Sequence, residues 1–377
     1  MVTRVVVSPS SIRNPLWISA RRNPRAVQIR RNHWPSYGIR TPAPDVPGSK
    51  CPFLFETGYA LCAKRPPRPF PPPFLALPTA SFSDPLTSPQ GQDKRLSVKG
   101  ELIRGLNNGD DAVLVGENCM GVNDGVGAWA TKPQGHAALW SRLLLHFWAL
   151  EVERQVDCAA TPDPVGFLQN AYHETVQATT SPNEWLGTTT SVTTLLHWLR
   201  AEDGKPRPVL YVTNLGDCKV LVIRPREEKV LFRSVEQWHW FDCPMQLGTN
   251  SVDTPRKNAV LSTVDLEEDD IVLALSDGVL DNLWEQEVLT ITMDSVKKWA
   301  EGRNQENDRD WAPPAALAEE RMVFVARELL KAALTIAQDP FAESPYMERG
   351  IEEGLAIEGG KMDDISVVVG SCKKRDD

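Results

Sequence analysis

Three short apolar runs, far apart in the 377-residue chain, each meet aspartate at one end. Cys119 to Asn123 stops at Asp124-Gly125, within the segment GVNDGVGAW. Ile271 to Ser276 stops at Asp277-Gly278, and Ile365 to Val369 begins directly after Asp363-Asp364. Apolar runs of this length read as strands buried in a sheet. A single Asp-Gly at a strand end marks a tight turn, which is the reading for Asp203-Gly204. Three acidic strand ends constrain the chain more strongly, because a fold that gathers them creates a site for a hard metal ion.

Composition narrows the class. Hydrophobic content of 41% with 24% charged residues describes a globular chain with a sizeable core. No apolar run approaches the ~18 residues of a membrane span, and the longest, Leu143 to Leu150, is interrupted by His146. The seven cysteines include no CxxC pair and read as reduced core thiols rather than a disulfide framework or a zinc site. The net charge of −9 is unevenly spread: residues 1–50 carry +8 and the remainder −17. So acidic a body argues against nucleic acid as a partner, since that affinity depends on Lys and Arg neutralising phosphates.

The first 44 residues contain no acid and eight arginines, the composition of a mitochondrial transit peptide. The alternative is a disordered basic tail on a cytoplasmic protein, with Pro9, Pro15 and Pro24 limiting any helix to short pieces. Residues 1–50 are therefore a targeting leader and linker, 51–372 a single domain, and 373–377 a charged tail. Within the domain, 65–90 is a Pro-rich connector whose PRPFPPPF stretch reads as a covering loop. Segments 301–314 and 339–360 are polar surface loops.

Helical stripes run from His136 to Val156, after Asp163-Pro164, and from Met322 to Ala337. Strands are expected at Phe53–Cys62, Asp111–Val115, Thr188–Leu199, Val209–Thr213, Lys219–Ile223, Val230–Phe232, Ile271–Leu275 and Ile365–Val369. Asn214-Leu-Gly-Asp217 reads as a hairpin-like connection with Asp217 in a structural role. The strands are grouped between helix pairs rather than alternating with helices, so the class is α+β, antiparallel sheets covered by helices. Among the dispersed histidines, His239 reads as a packed or hydrogen-bonded residue.

Carboxylates without clustered Cys or His favour Mg or Mn over zinc or copper. Two such ions about 3.5–4 Å apart suit in-line attack on a phosphoryl group. The segments GVNDGVGAW, LGTTTSVTTLL, LYVTNLGDCKVLVIR, IVLALSDGVLDNLWEQE and KMDDISVVVG, in this order, resemble the metal-dependent Ser/Thr protein phosphatases of the 2C (PPM) type. The likeness is to the mitochondrial-type branch and spans about Phe53 to Val369. It implies a four-layer αββα sandwich, a monomer, phosphoprotein substrates, and two or more Mn or Mg ions. It further implies that Asp124, Gly125, Asp277 and Asp363 are metal ligands, with Asp124 bridging and Asp124 and Asp277 catalytic through the metals. Asp110, Asp111 and Asp364 support them, and a metal-bridging water attacks phosphorus directly. Two departures stand out. Val126 replaces a histidine that can protonate the leaving oxygen, so another donor or water must act. The arginine that many relatives place before the first acids is missing, with Arg104 the nearest candidate. A binding protein on the same fold and a small-molecule phosphate-ester hydrolase are the alternative readings.

Overall fold

Side-chain alternation within the apolar runs decides the layering. In the strand Lys219–Arg224, Val220 and Val222 join one buried cluster, while Leu221 and Ile223 join another. Ile271–Leu275 divides the same way, with Val272 and Ala274 opposite Ile271, Leu273 and Leu275. In Asp111–Val115, Val113 and Val115 share the first cluster, and Ala112 and Leu114 enter a third. Successive strand residues point to opposite faces, so a strand covered on both sides needs an unbroken apolar run. The chain is described by a computed structural model covering residues 51–74, 96–155, 161–180, 182–306 and 314–375.

Five strands form one antiparallel sheet in the order Phe53–Cys62, Ile365–Lys374, Ile271–Leu275, Lys219–Arg224, Lys229–Arg233. Six form the other, in the order Val260–Asp265, Pro206–Leu215, Ser191–Arg200, Cys119–Asn123, Asp111–Val115, Leu106–Asn108. The two sheets share the cluster of Val113, Met120, Val122, Val220, Val222 and Val368. Helices Ala137–Arg154 and Pro164–Thr180 pack on the six-stranded sheet through Leu139, Leu143, Trp148 and Leu168. Helices Glu285–Glu306 and Pro314–Ala337 pack on the five-stranded sheet through Val288, Val325, Leu329 and Ala333. The result is the expected αββα sandwich. No helix among the described residues is long and apolar enough to cross a membrane. Cys119, Cys218, Cys243 and Cys372 are free thiols.

Several local expectations change. The link Asn214 to Asp217 is no hairpin, because Pro206–Leu215 and Lys219–Arg224 lie in different sheets. The chain changes layers there, with Gly216 at φ +111°. The expected strand Thr188–Leu199 divides at Thr190: Thr188–Thr189 pairs with Leu247–Gly248, and Ser191–Arg200 enters the six-stranded sheet. Of segment 301–314, expected as a loop, the described residues 301–306 and Pro314 belong to helices. Segment 339–360 contains the helix Pro345–Glu352, capped by the Ser344 hydroxyl, which accepts from Met347 N at 3.1 Å. In the Pro-rich connector, Phe70 and Phe74 are buried in the core, which supports the covering-loop reading. The leader 1–50, connector residues 75–90, loop residues 307–313 and tail residues 376–377 lie outside the described residues.

The charged tail also begins later than expected, because the last strand runs to Lys374, opposite Phe53. Arg375 N then donates to Pro52 O at 2.8 Å and its guanidinium pairs with Glu117 at 2.8 Å. A chain ending at Cys372 is expected to lose about 1–3 kcal/mol of unfolding free energy in a urea titration, the scale of two or three net hydrogen bonds. An unchanged midpoint would show that this strand end contributes nothing.

Candidate active site

Close backbone approaches bring the acidic segments together. A Cβ on Gly125 would stand 2.3 Å from the Asp110 carbonyl oxygen, and one on Gly278 would stand 2.2 Å from that of Asp364. Each Asp-Gly pair thus needs its glycine because a second acidic segment lies against the backbone at that point. The sheets are tied at the same place. Asn108 Nδ2 donates to Ile365 O and to Ser366 Oγ, both at 2.9 Å, and Ser366 Oγ donates to Asp111 Oδ2 at 2.7 Å. The first hairpin of one sheet is thereby fixed to the last strand of the other.

Three of the converging carboxylates are Asp124, after the Cys119–Asn123 strand, Asp277, opening a short helix, and Asp217, at the sheet-to-sheet link. One oxygen from each lies within 4.8 Å of the others. Asp217 Oδ1 and Asp277 Oδ1 are buried without a hydrogen-bond partner among the described residues. Buried polar atoms are rarely left unpaired, so this donor set suits a hard divalent cation. Asp217, expected to be structural, is therefore part of the cluster.

The remaining predicted residues form a frame around it. Asp364 accepts from Lys64 N at 2.7 Å through Oδ1 and from Asp110 N at 2.9 Å through Oδ2, so both its oxygens are engaged by backbone. Asp363 is ion-paired with Lys64 and lies 3.7 Å from Lys361 Nζ. Asp110 is paired with Arg65, whose guanidinium also donates to Gly127 O at 3.3 Å. Arg104, the nearest basic residue in sequence, is instead paired with Glu153 at 2.6 Å and Glu101 at 3.5 Å. None of the site's acids is among those partners. The basic groups at the site are Lys64, Arg65 and Lys361, which carry no motif signal in the sequence. Lys64-Arg65 follows the first strand, which ends at Cys62, at the start of the Pro-rich stretch, and Lys361 stands two residues before Asp363. Asp281, one helical turn after Asp277, is a further acid of this group. His239 bonds Asp253 at 2.8 Å, as a packed histidine would.

Burial dominates the electrostatics. It raises Asp111, Asp217 and Asp277 well above the ordinary carboxylate range, with neighbouring acids adding to the effect. Burial and the Asp363 charge push Asp124 up to about 6, and burial pushes Asp364 up to about 7. Burial pulls the Lys64 and Lys361 ammonium groups down, but the surrounding carboxylates outweigh it and both end raised. A carboxyl whose folded value lies above its unfolded value of about 3.9 stabilises the fold most at low pH. That contribution disappears as pH rises through the folded value. With chelator present, the melting temperature is therefore expected to fall between pH 5 and pH 8, and added Mn should suppress the fall. A chelated protein equally stable at both pH values would contradict this electrostatic picture.

No family model matches the chain. Among curated proteins it is 30% identical over 293 residues to the protein phosphatase PTC7 homolog of Xenopus laevis, covering 74% of this chain and 85% of that protein. The Danio rerio PTC7 homolog is 29% identical over 291 residues, with 74% and 85% covered. The human homolog is 29% identical over 293 residues, with 74% and 83% covered. Among solved structures, the photosystem II phosphatase PBCP aligns with a TM-score of 0.54 at 25% identity, covering 71% of this chain and 93% of that one. With this level of identity along most of both sequences and the same fold, the chain belongs to the 2C-type family of metal-dependent protein serine/threonine phosphatases.

Proposed function

We propose that this chain removes phosphate from phosphoserine and phosphothreonine in proteins, using Mn or Mg held by Asp124, Asp217, Asp277 and Asp363 with the Gly125 carbonyl. The observation that carries the assignment is the cluster of Asp124, Asp217 and Asp277, with two buried carboxylate oxygens lacking partners among the described residues. When bound, the ions supply Lewis-acid activation of the attacking water and neutralise charge on the phosphoryl group.

The chain's own residues do the rest. Asp364 fixes the Asp110 and Lys64 backbones against each other, and so holds the two sides of the crevice in register. Asp111, anchored by Ser366 and held well above the ordinary carboxylate range by burial, hydrogen-bonds Asp124 and so favours its charged form. Arg65 is 42% exposed and Lys64 25% exposed, so both basic groups can be reached from solvent. They take the phosphate-orienting role that the sequence left open, as cations that favour a doubly charged phosphomonoester. Val126 is half-buried and carries no proton for the leaving oxygen. The basic leader, together with the resemblance to PTC7 homologs, supports a mitochondrial location, and imaging the chain with and without residues 1–50 tests it.

Phosphate release from a phosphothreonine peptide should require Mn or Mg, stop on chelation, and fall at least 100-fold in Asp124→Ala, the scale of a lost electrostatic catalyst. Arg65→Ala should raise KM by roughly tenfold, about 1.4 kcal/mol, with a smaller effect on kcat. Activity that survives both chelator and Asp124→Ala would defeat the proposed function. An unchanged KM in Arg65→Ala would remove only the phosphate-orienting role.

A further inference from the structure

Lys361 is placed unlike any other basic group in the described site. Its Nζ lies 2.8 Å from Asp281 Oδ2, 3.0 Å from Asp242 Oδ1 and 3.1 Å from Asp277 Oδ2, with Asp363 Oδ2 at 3.7 Å. The Tyr346 ring lies 5.0 Å away on another side. Oxygens from three carboxylates converging at close range on one cation is how an ion site is arranged. The side chain is only 19% exposed and that of Asp281 only 2%, so water screens these charges weakly.

The root of the lysine is fixed as well. Lys361 N donates to Asn282 Oδ1 and Asn282 Nδ2 donates back to Lys361 O, both at 2.9 Å. Asn282 also donates to Gly278 O at 2.9 Å, so the ammonium is referenced to the backbone that carries Asp277 and Asp281. Arg349 holds the other oxygen of Asp281. The two oxygens of Asp277 thus differ: Oδ2 faces the ammonium, while Oδ1 is buried without a hydrogen-bond partner among the described residues, and one carboxylate oxygen of the residue joins the cluster with Asp124 and Asp217.

We infer that Lys361 is a resident cation that takes the place of a divalent ion at the rim formed by Asp242, Asp277 and Asp281, confining metal to the inner cluster. The inference rests on the metal-dependent reading of the inner cluster and goes beyond it, since it concerns how many ions the site accepts and what neutralises its rim. Lys361 is a positioning residue here. It neutralises the outer acids, presents the inner oxygen of Asp277, and keeps the crevice folded when metal is absent.

The test is a count of bound Mn by equilibrium dialysis at saturating Mn, with melting temperatures in Mn and in chelator, for the wild type, Lys361→Gln and Lys361→Arg. Lys361→Gln should bind one more Mn per chain than the wild type, melt lower in chelator, and recover when Mn is added. Lys361→Arg keeps the charge and should match the wild-type count. Equal counts in the wild type and Lys361→Gln would overturn the inference, as would a Lys361→Gln chain that fails to fold even in saturating Mn. A wild type that binds no Mn would instead bring down the metal-dependent reading, and this inference with it.

Discussion

Mutual repulsion among crowded carboxylates governs one edge of this sandwich. Asp111, Asp124, Asp217, Asp277 and Asp364 all sit in one crevice, and each is raised by burial. Left alone, such a group of charges would push the two sheets apart at this edge. Three features oppose that. Lys64, Arg65 and Lys361 supply opposite charge, backbone N–H groups engage both oxygens of Asp364, and the sandwich behind the site holds its walls rigidly. The arrangement stores a demand for cations that its own side chains meet only in part. That demand makes it a suitable place to hold divalent ions and a phosphoryl group.

The fold serves this site through its connections. Acids enter from both sheets: Asp111 and Asp124 from the six-stranded one, Asp277 and Asp364 from the five-stranded one, and Asp217 from the link between them. Their ends meet because Asn108, Asp111 and Ser366 bond across the sheets and because two glycines allow backbone contact. The apolar layer between the sheets, built from residues such as Val113, Met120, Val220 and Val368, fixes their separation. Stability and the candidate site are therefore coupled at one edge of the sandwich.

Much of this was legible in the sequence, for a physical reason. Strands covered on both faces must be apolar throughout, so Asp111–Val115, Lys219–Ile223 and Ile271–Leu275 stand out, and the aspartates at their ends are conspicuous. What escaped reading depends on tertiary contacts. The turn signal of Asn214 to Asp217 is the same whether the flanking strands pair or change sheets, so it does not separate a hairpin residue from a site residue at Asp217. The helix Pro345–Glu352 is too polar to announce itself and is held by Arg349 on Asp281 and by Tyr346 N on the Asp281 carbonyl. Proximity in sequence pointed to Arg104, which the fold commits to Glu153, whereas Lys64 and Arg65 reach the acids from the other sheet.

On the proposed function, the inner cluster holds divalent metal through Asp124, Asp217 and Asp277. Anomalous diffraction from crystals grown with Mn tests it most directly. A strong peak is expected within roughly 2.0–2.3 Å of oxygens from these three residues, the range for hard-cation contacts to carboxylates. Crystals that show ordered Mn elsewhere but none among these aspartates would contradict it.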